Sequence, residues 1–230
     1  MLETGYVHLT ADELRGLVGN IDRDEFASFA GQWEDMPLDE HMADGGRYRR
    51  RRHAAFTFEG DGIVRKPHQP HFQSTSYNAL NGGTDRWFEP ATPVLTDHPL
   101  MRRIISTCTG IFSHVEAGAA DPRWNGELHQ FRIEARGDAP GLPTPEGMHR
   151  DGVDWVLVLL IDRLNVQAGS TRIVDEAGRM DEFVLRDSGE AVLLDDRKIR
   201  HGVTAISAVD PDRPAHRDVL VVTWSGAFGR

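Results

Sequence analysis

The chain has 230 residues, 39% of them hydrophobic and 27% charged, a globular composition that excludes a disordered or fibrous protein and is long enough to bury a substantial core. Its net charge of −10 argues against a nucleic-acid partner, whose binding is dominated by neutralised phosphates. Cys108 is the only cysteine, so no intramolecular disulfide framework can form, and the longest apolar run, VLVLLI, is too short to span a bilayer.

The start, MLETGYVHLTADELRG, lacks the basic then apolar pattern of a leader, and the expectation is a cytoplasmic protein with no membrane partner. Thr10 and Glu13 form a capping-box pattern, followed by Leu14, Leu17, Val18 and Ile21 on one helical face. Phe26, Phe29 and Trp33 continue at near-helical spacing and predict a second helix that ends before Pro37, with these rings packed in the core. Residues 1–45 therefore read as an N-terminal helical segment.

GRYRRRRHAAFTF follows, with five arginines between Gly45 and His53. Alone it would suit an anion or nucleic-acid patch, but alternation through Phe56 and Phe58 predicts a strand with a solvated charged face. HPLMRRIISTCTGIFSHV reads as a helix capped by Asp97, with Leu100, Ile104, Cys108, Phe112 and Val115 inward, so the Cys108 thiol is expected to be buried and inert.

Over residues 128–225 the texture changes to short β-type runs: LHQFRIEA, DWVLVLLI, STRIV, EFVLR, AVLLD, GVTAI and DVLVVTW. With 23 glycines and 12 prolines spread along the chain and no helical period between these runs, they predict an antiparallel sandwich or barrel. The fold class expected is mainly β with flanking helices, in one domain spanning 1–230.

The chemistry concentrates in MHRDGV. In an extended segment residues i and i+2 share a face, so His149 and Asp151 can converge on one metal while Arg150 points away. With 11 histidines in the chain, a lone pair of this kind is more often polar surface. His201, 50 residues on in DDRKIRHGV, strengthens the case: two imidazoles and a carboxylate form the facial triad of non-haem Fe(II) oxygenases, with three coordination positions left open. Two of these can hold a bidentate cosubstrate and one can admit O2.

A chelating 2-oxo acid needs a cation at its far end. Arg217, 16 residues after His201 in HRDVLVVTW, offers a guanidinium fork that matches a carboxylate, although by itself it would more often pair with a surface acid. Asp195 and Asp196, adjacent on a strand, point to opposite faces and suit a turn or cap before His201. His68, His71, His129 and His216 read as surface or hydrogen-bonding histidines, with His129 near the cavity.

HRDGVDWVLVLLIDRLN, LLDDRKIRHGV and HRDVLVVTW resemble signature blocks of the bacterial 2-oxoglutarate- and Fe(II)-dependent dioxygenases that include free L-isoleucine hydroxylases. HFQSTSYNALNGGTDRWFEP, ELHQFRIEA and PTPEGMHRDG resemble the same family, so the likeness runs from about Arg47 to Trp224. It implies a double-stranded β-helix (jelly-roll, cupin-like) core, Fe(II) held by His149, Asp151 and His201, and Arg217 anchoring the distal carboxylate of 2-oxoglutarate, with O2 as the oxidant. The chain departs from the pattern at NVQAGSTRIV, where a Gly-Gly-Glu-Ser-like stretch is usual; Ala168 and Thr171 there bear on substrate identity.

The substrate expected is a small molecule, a free L-amino acid or related metabolite. Alternation in LHQFRIEA puts Gln130 and Arg132 on one face, from which Arg132 can bind a substrate carboxylate, and Tyr77 and Asn78 are further candidates. The alternatives are a protein or peptide hydroxylase, which needs an open groove, and a non-catalytic jelly-roll binding module, which would lack a ligand or the anchoring arginine.

Overall fold

The computed structural model describes residues 4–59, 62–116 and 123–226. Strand β1 (Tyr6–Leu9) leads into helices α1 (Ala11–Val18) and α2 (Arg23–Ala30), the latter continued by a 3-10 turn, Gly31–Trp33. Then come β2 (Arg49–Glu59), β3 (Gly62–Arg65), the single turn α3 (Pro93–Thr96) and α4 (Pro99–Val115). The rest is β: β4 (Trp124–Ala135), β5 (Trp155–Leu164), β6 (Val166–Ala168), β7 (Thr171–Asp175), β8 (Met180–Phe183), β9 (Ala191–Asp195), β10 (Ile199–Val203), β11 (Ile206–Ala208) and β12 (Ala215–Gly226).

Seven strands form an antiparallel major sheet in the order β1-β9-β5-β12-β4-β2-β3, while β10-β7-β8 and the pair β11-β6 form smaller sheets. This is the double-stranded β-helix, or jelly-roll. Its central strands are apolar on both faces because both are covered. In β5, Trp155, Leu157, Leu159 and Ile161 pack with Leu100, Ile104, Cys108 and Phe112 of α4, while Val156 and Leu160 pack with Ile173 and Ile199 of the smaller sheet.

Register then decides which side chains meet. Across β2, β4 and β12 the aligned rows are Arg49–Ile133–Arg217, Arg51–Phe131–Val219 and His53–His129–Val221. These rows face the inside of the jelly-roll. Leu128, Leu220 and Val222 on the same strands face the helices. Gln130 and Arg132 share that outer phase: Gln130 Nε2 donates to the carbonyl of Gln32, and Arg132 Nε donates to Asp218 Oδ1 at 2.8 Å.

Thr10 caps α1 through the expected capping box with Glu13, and Leu14 and Val18 are buried, although Leu17 is exposed. The cap of α4 is His98, whose Nδ1 accepts from the Leu100 amide at 3.2 Å; Asp97 instead closes α3. The N-terminal segment adds β1 to the helices, paired with β9.

The largest departure from the sequence reading is β2. Its arginines do not form a solvated face, because one row lines the interior of the jelly-roll and the other is covered by the segment before β2 and by β4. Arg49, Arg51 and His53 are buried, and on the opposite face Arg50 bonds Glu134 and the carbonyl of Met36. No helix of the described residues is long and apolar enough to cross a membrane.

Candidate active site

His149 and His201 are brought together by backbone pairing. The amide of each donates to the carbonyl of the other at 2.9 Å, an isolated antiparallel bridge that seats the segment before β5 on β10. Asp151 follows two residues later, and Gly152 turns the chain at φ +82, where a side chain would meet the ring of Tyr77 at 2.7 Å. Asp196 fixes this turn: its carboxylate accepts from the amides of Asp151, Gly152 and Val153 at 2.9, 2.8 and 3.2 Å. That is a turn-stabilising role, exerted on the segment that carries Asp151.

His149 Nε2 and His201 Nε2 each lie 3.5 Å from an oxygen of Asp151, and one donor atom from each of the three residues falls within 4.8 Å of the others. Ligand bonds of about 2.1 Å at right angles place neighbouring donors about 3 Å apart, so the set fits one cation with small adjustment. The carbonyl of Gly147 accepts from His149 Nδ1 at 3.0 Å, which orients the ring with Nε2 towards Asp151. Burial would lower His149, but Asp151 and Glu146 outweigh it and lift the imidazole to about 9. Burial and the neighbouring His149 push His201 down to about 4. Burial opposes the charge on Asp151 as well, yet the two histidines hold it below the usual carboxylate range. The donor set favours a positive charge at its centre.

The triad opens into a cavity of about 940 Å³, counting its mouth, between the two sheets. Arg217 lines the same cavity at 2% exposure, and neither its Nε nor its Nη2 has a hydrogen-bond partner. Burial, with Arg163 nearby, pushes its guanidinium down to about 10. A buried guanidinium without a counter-ion is costly, and an anion in the cavity would relieve it.

Of the remaining sequence candidates, Asn78 lines the cavity and Tyr77 packs behind the Gly152 turn. Gln130 and Arg132 do not line it. The alternation was read correctly but its phase is inverted, so that His129, Phe131 and Ile133 form the wall. Ala168 and Thr171 lie outside the lining, Ala168 in β6 at φ +61 and Thr171 buried in β7. Arg86 and Glu127, assigned no role from the sequence, His71, expected to be a surface or hydrogen-bonding residue, and Arg51, expected on a solvated face, all line the cavity. The alternation of β2 carried a signal for Arg51, since Arg49, Arg51 and His53 must share one face.

The profile of the 2OG-Fe dioxygenase family matches residues 30–223. The L-isoleucine-4-hydroxylase of Bacillus thuringiensis is 26% identical over 156 residues, 67% of this chain and 65% of that protein, so the match spans just under two thirds of that relative. The 3(1)-hydroxy-L-isoleucine 4-dioxygenase of Pantoea ananatis is 23% identical over 203 residues, 87% of this chain and 81% of that one. Among solved structures, a BsmA homologue from Methylobium petroleophilum PM1 superposes with a TM-score of 0.89 at 38% identity, covering 97% of this chain and 89% of that chain.

Proposed function

The chain belongs to the 2OG-Fe dioxygenase family, and from that premise we propose that it hydroxylates a small molecule, a free L-amino acid or a close relative of one. Like the family, it uses Fe(II), 2-oxoglutarate and O2. In this reading His149, Asp151 and His201 hold the iron and Arg217 holds the distal carboxylate of 2-oxoglutarate. One observation carries it: the three-donor set and a buried guanidinium with two nitrogens unpaired among the described residues occupy a single cavity.

Bound iron supplies the redox chemistry, in which one oxygen atom of O2 enters 2-oxoglutarate as it becomes succinate and CO2 while the other enters a substrate C–H bond. The chain's own work is geometric. With iron bound, Asp151 would contribute one negative charge and the two imidazoles none. Arg217 fixes the orientation of the cosubstrate through a two-point carboxylate contact. Phe131, Val158, Val219 and Val221 make the wall between them apolar, which excludes water and presents one substrate carbon for oxidation. The amino-acid substrate is supported by the two relatives named for isoleucine chemistry and by a cavity suited to a small molecule.

The test is succinate release from 2-oxoglutarate by iron-loaded protein, with and without a panel of free L-amino acids that includes L-isoleucine. Stimulation by an aliphatic amino acid, with one oxygen atom gained by that amino acid, is the expected result. Succinate formed at one slow rate whatever amino acid is present would discard the substrate class. No succinate at all from protein shown to bind Fe(II) would favour the non-catalytic binding module.

A further inference from the structure

Two more buried guanidinium groups line the cavity: Arg51 on β2, in the same sheet as Arg217, and Arg86 in the segment between β3 and α3. Arg51 and Arg86 are 5% and 3% exposed, both line the cavity, and the Nε of each has no hydrogen-bond partner. Among the described residues no carboxylate lies within 4.0 Å of either, whereas the neighbouring Arg49 has Asp39 at 2.7 Å. Arg51 stacks over the ring of Phe88 at 3.7 Å, which fixes its plane without neutralising it.

Next to them stands one carboxylate, Glu127, ringed by imidazoles. His71 Nδ1 lies 2.6 Å from its Oε2, His129 Nε2 lies 3.5 Å from the same oxygen, and His53 Nε2 lies 3.7 Å from Oε1. These four residues have the composition of a metal site, but the proton inventory argues otherwise. Arg51 Nη2 is 2.9 Å from His129 Nδ1, and a guanidinium only donates. His129 Nδ1 is therefore the acceptor, and Nε2 keeps its proton and turns it to Glu127. Burial would raise Glu127, yet hydrogen bonds from His129, His53 and His71 hold it well below the usual carboxylate range, while burial keeps the three histidines neutral. The result is a fixed anion that lines the cavity and whose side chain is still 28% exposed.

We propose that the cavity reads its substrate as a zwitterion, Arg51 and Arg86 taking the α-carboxylate and Glu127 taking the α-ammonium. The inference rests on the amino-acid reading above and gives it a physical basis. His129 spans the two charges, its ring nitrogens contacting Arg51 at one end and Glu127 at the other. The guanidinium nitrogen and the carboxylate oxygen are thus separated by one imidazole and a contact of 2.9 or 3.5 Å at each end, about 8 Å in all. That is the separation needed for an ammonium and a carboxylate on one carbon, each extended by a hydrogen bond of about 2.8 Å. Glu127, His129 and Asp151 line one cavity with Phe131, Val158 and Val219, so a head group held there would leave the side chain to run along these apolar residues.

The experiment is calorimetric titration of the Fe(II)- and 2-oxoglutarate-loaded protein, kept anaerobic, with three probes. These are L-isoleucine, its carboxamide and 2-hydroxy-3-methylpentanoate, the last two lacking the carboxylate and the ammonium in turn. Each change should weaken binding by about thirtyfold or more, the loss expected for one partner of a buried charged pair. In Arg86→Met the preference for acid over carboxamide should fall below about threefold while the preference for amine over hydroxyl persists; Glu127→Gln should do the reverse. A misfolded variant cannot give that crossed pattern.

Equal binding of all three probes by a protein whose succinate release is stimulated by free amino acids would overturn the proposal and leave the amino-acid reading intact. Absence of stimulation by any free amino acid would remove both. A second equivalent of Zn(II) bound by the wild type and lost in Glu127→Gln would make the cluster a metal site and overturn the ammonium role. A raised requirement for 2-oxoglutarate in Arg86→Met, with unchanged probe selectivity, would reassign the arginines to the cosubstrate.

Discussion

Arg217 and Asp218 are neighbours in β12, yet they face opposite sides of the major sheet and have opposite fates. Asp218 points outward, where Arg132 of β4 meets it with two hydrogen bonds at 2.8 and 2.7 Å. Arg217 points into the cavity, beside Ile133, and among the described residues no carboxylate lies within 4.0 Å of it. The outer face thus closes its own charges and works as structure. The inner face leaves cations open, and what completes them must come from solution. A sequence containing RD and FRIE shows four charged groups but not which of them is already answered.

The largest effect expected from this contrast lies at the triad. Asp151→Ala removes the one charged donor of the three, and substrate-dependent succinate release should fall by about a thousandfold or more, as for loss of a group that other active-site residues cannot replace. Retention of more than about a tenth of the activity would remove Asp151 from the site.

Next comes a paired test of the two faces. Arg132→Met takes both guanidinium hydrogen bonds from buried Asp218 and leaves it only His216 at 3.5 Å, and urea unfolding should show a loss of about 3 kcal/mol, the lower end for breaking a buried ion pair. Arg217→Met removes a charge that has no partner, so stability should hold or rise, while the KM for 2-oxoglutarate rises by about thirtyfold or more. Equal destabilisation by both substitutions would erase the distinction between the faces.

The smallest effect expected is at Asp196. Asp196→Asn keeps the size but removes one acceptor oxygen from the three amides it holds, loosening the turn that carries Asp151. Groups that orient metal ligands typically contribute about tenfold or more in affinity, so competition with a chelator should show Fe(II) binding weakened by about tenfold. Unchanged affinity would confine Asp196 to stabilising the turn.

Much of this was legible in the linear chain. The capping box at Thr10, the inward row of α4 from Leu100 to Phe112 and most of the strands are local patterns, set by 3.6- and 2-residue periods. His149 and Asp151 share a face because they are two apart in an extended segment. What failed was the assignment of faces. Alternation in LHQFRIEA separates Gln130 and Arg132 from Phe131 and Ile133, but both sets are covered in the fold, so polarity does not tell which looks inward. The arginines of β2 misled for the same reason: a charge run usually marks solvent, but here both faces of the strand are covered, and Arg49 and Arg51 turn into the interior.

The sequence by itself determined the fold class, the strand segments and the short-range pair His149 and Asp151, because each follows from periods and propensities over a few residues. Only the tertiary structure decided that His201 pairs backbone to backbone with His149, that Arg217 and Arg51 look inward while Arg132 looks out, and that Glu127 stands among three histidines. Those facts depend on strand register and on which sheet covers which face. Both are set by contacts between segments far apart in the chain, and a one-residue slip in any ladder would reverse them.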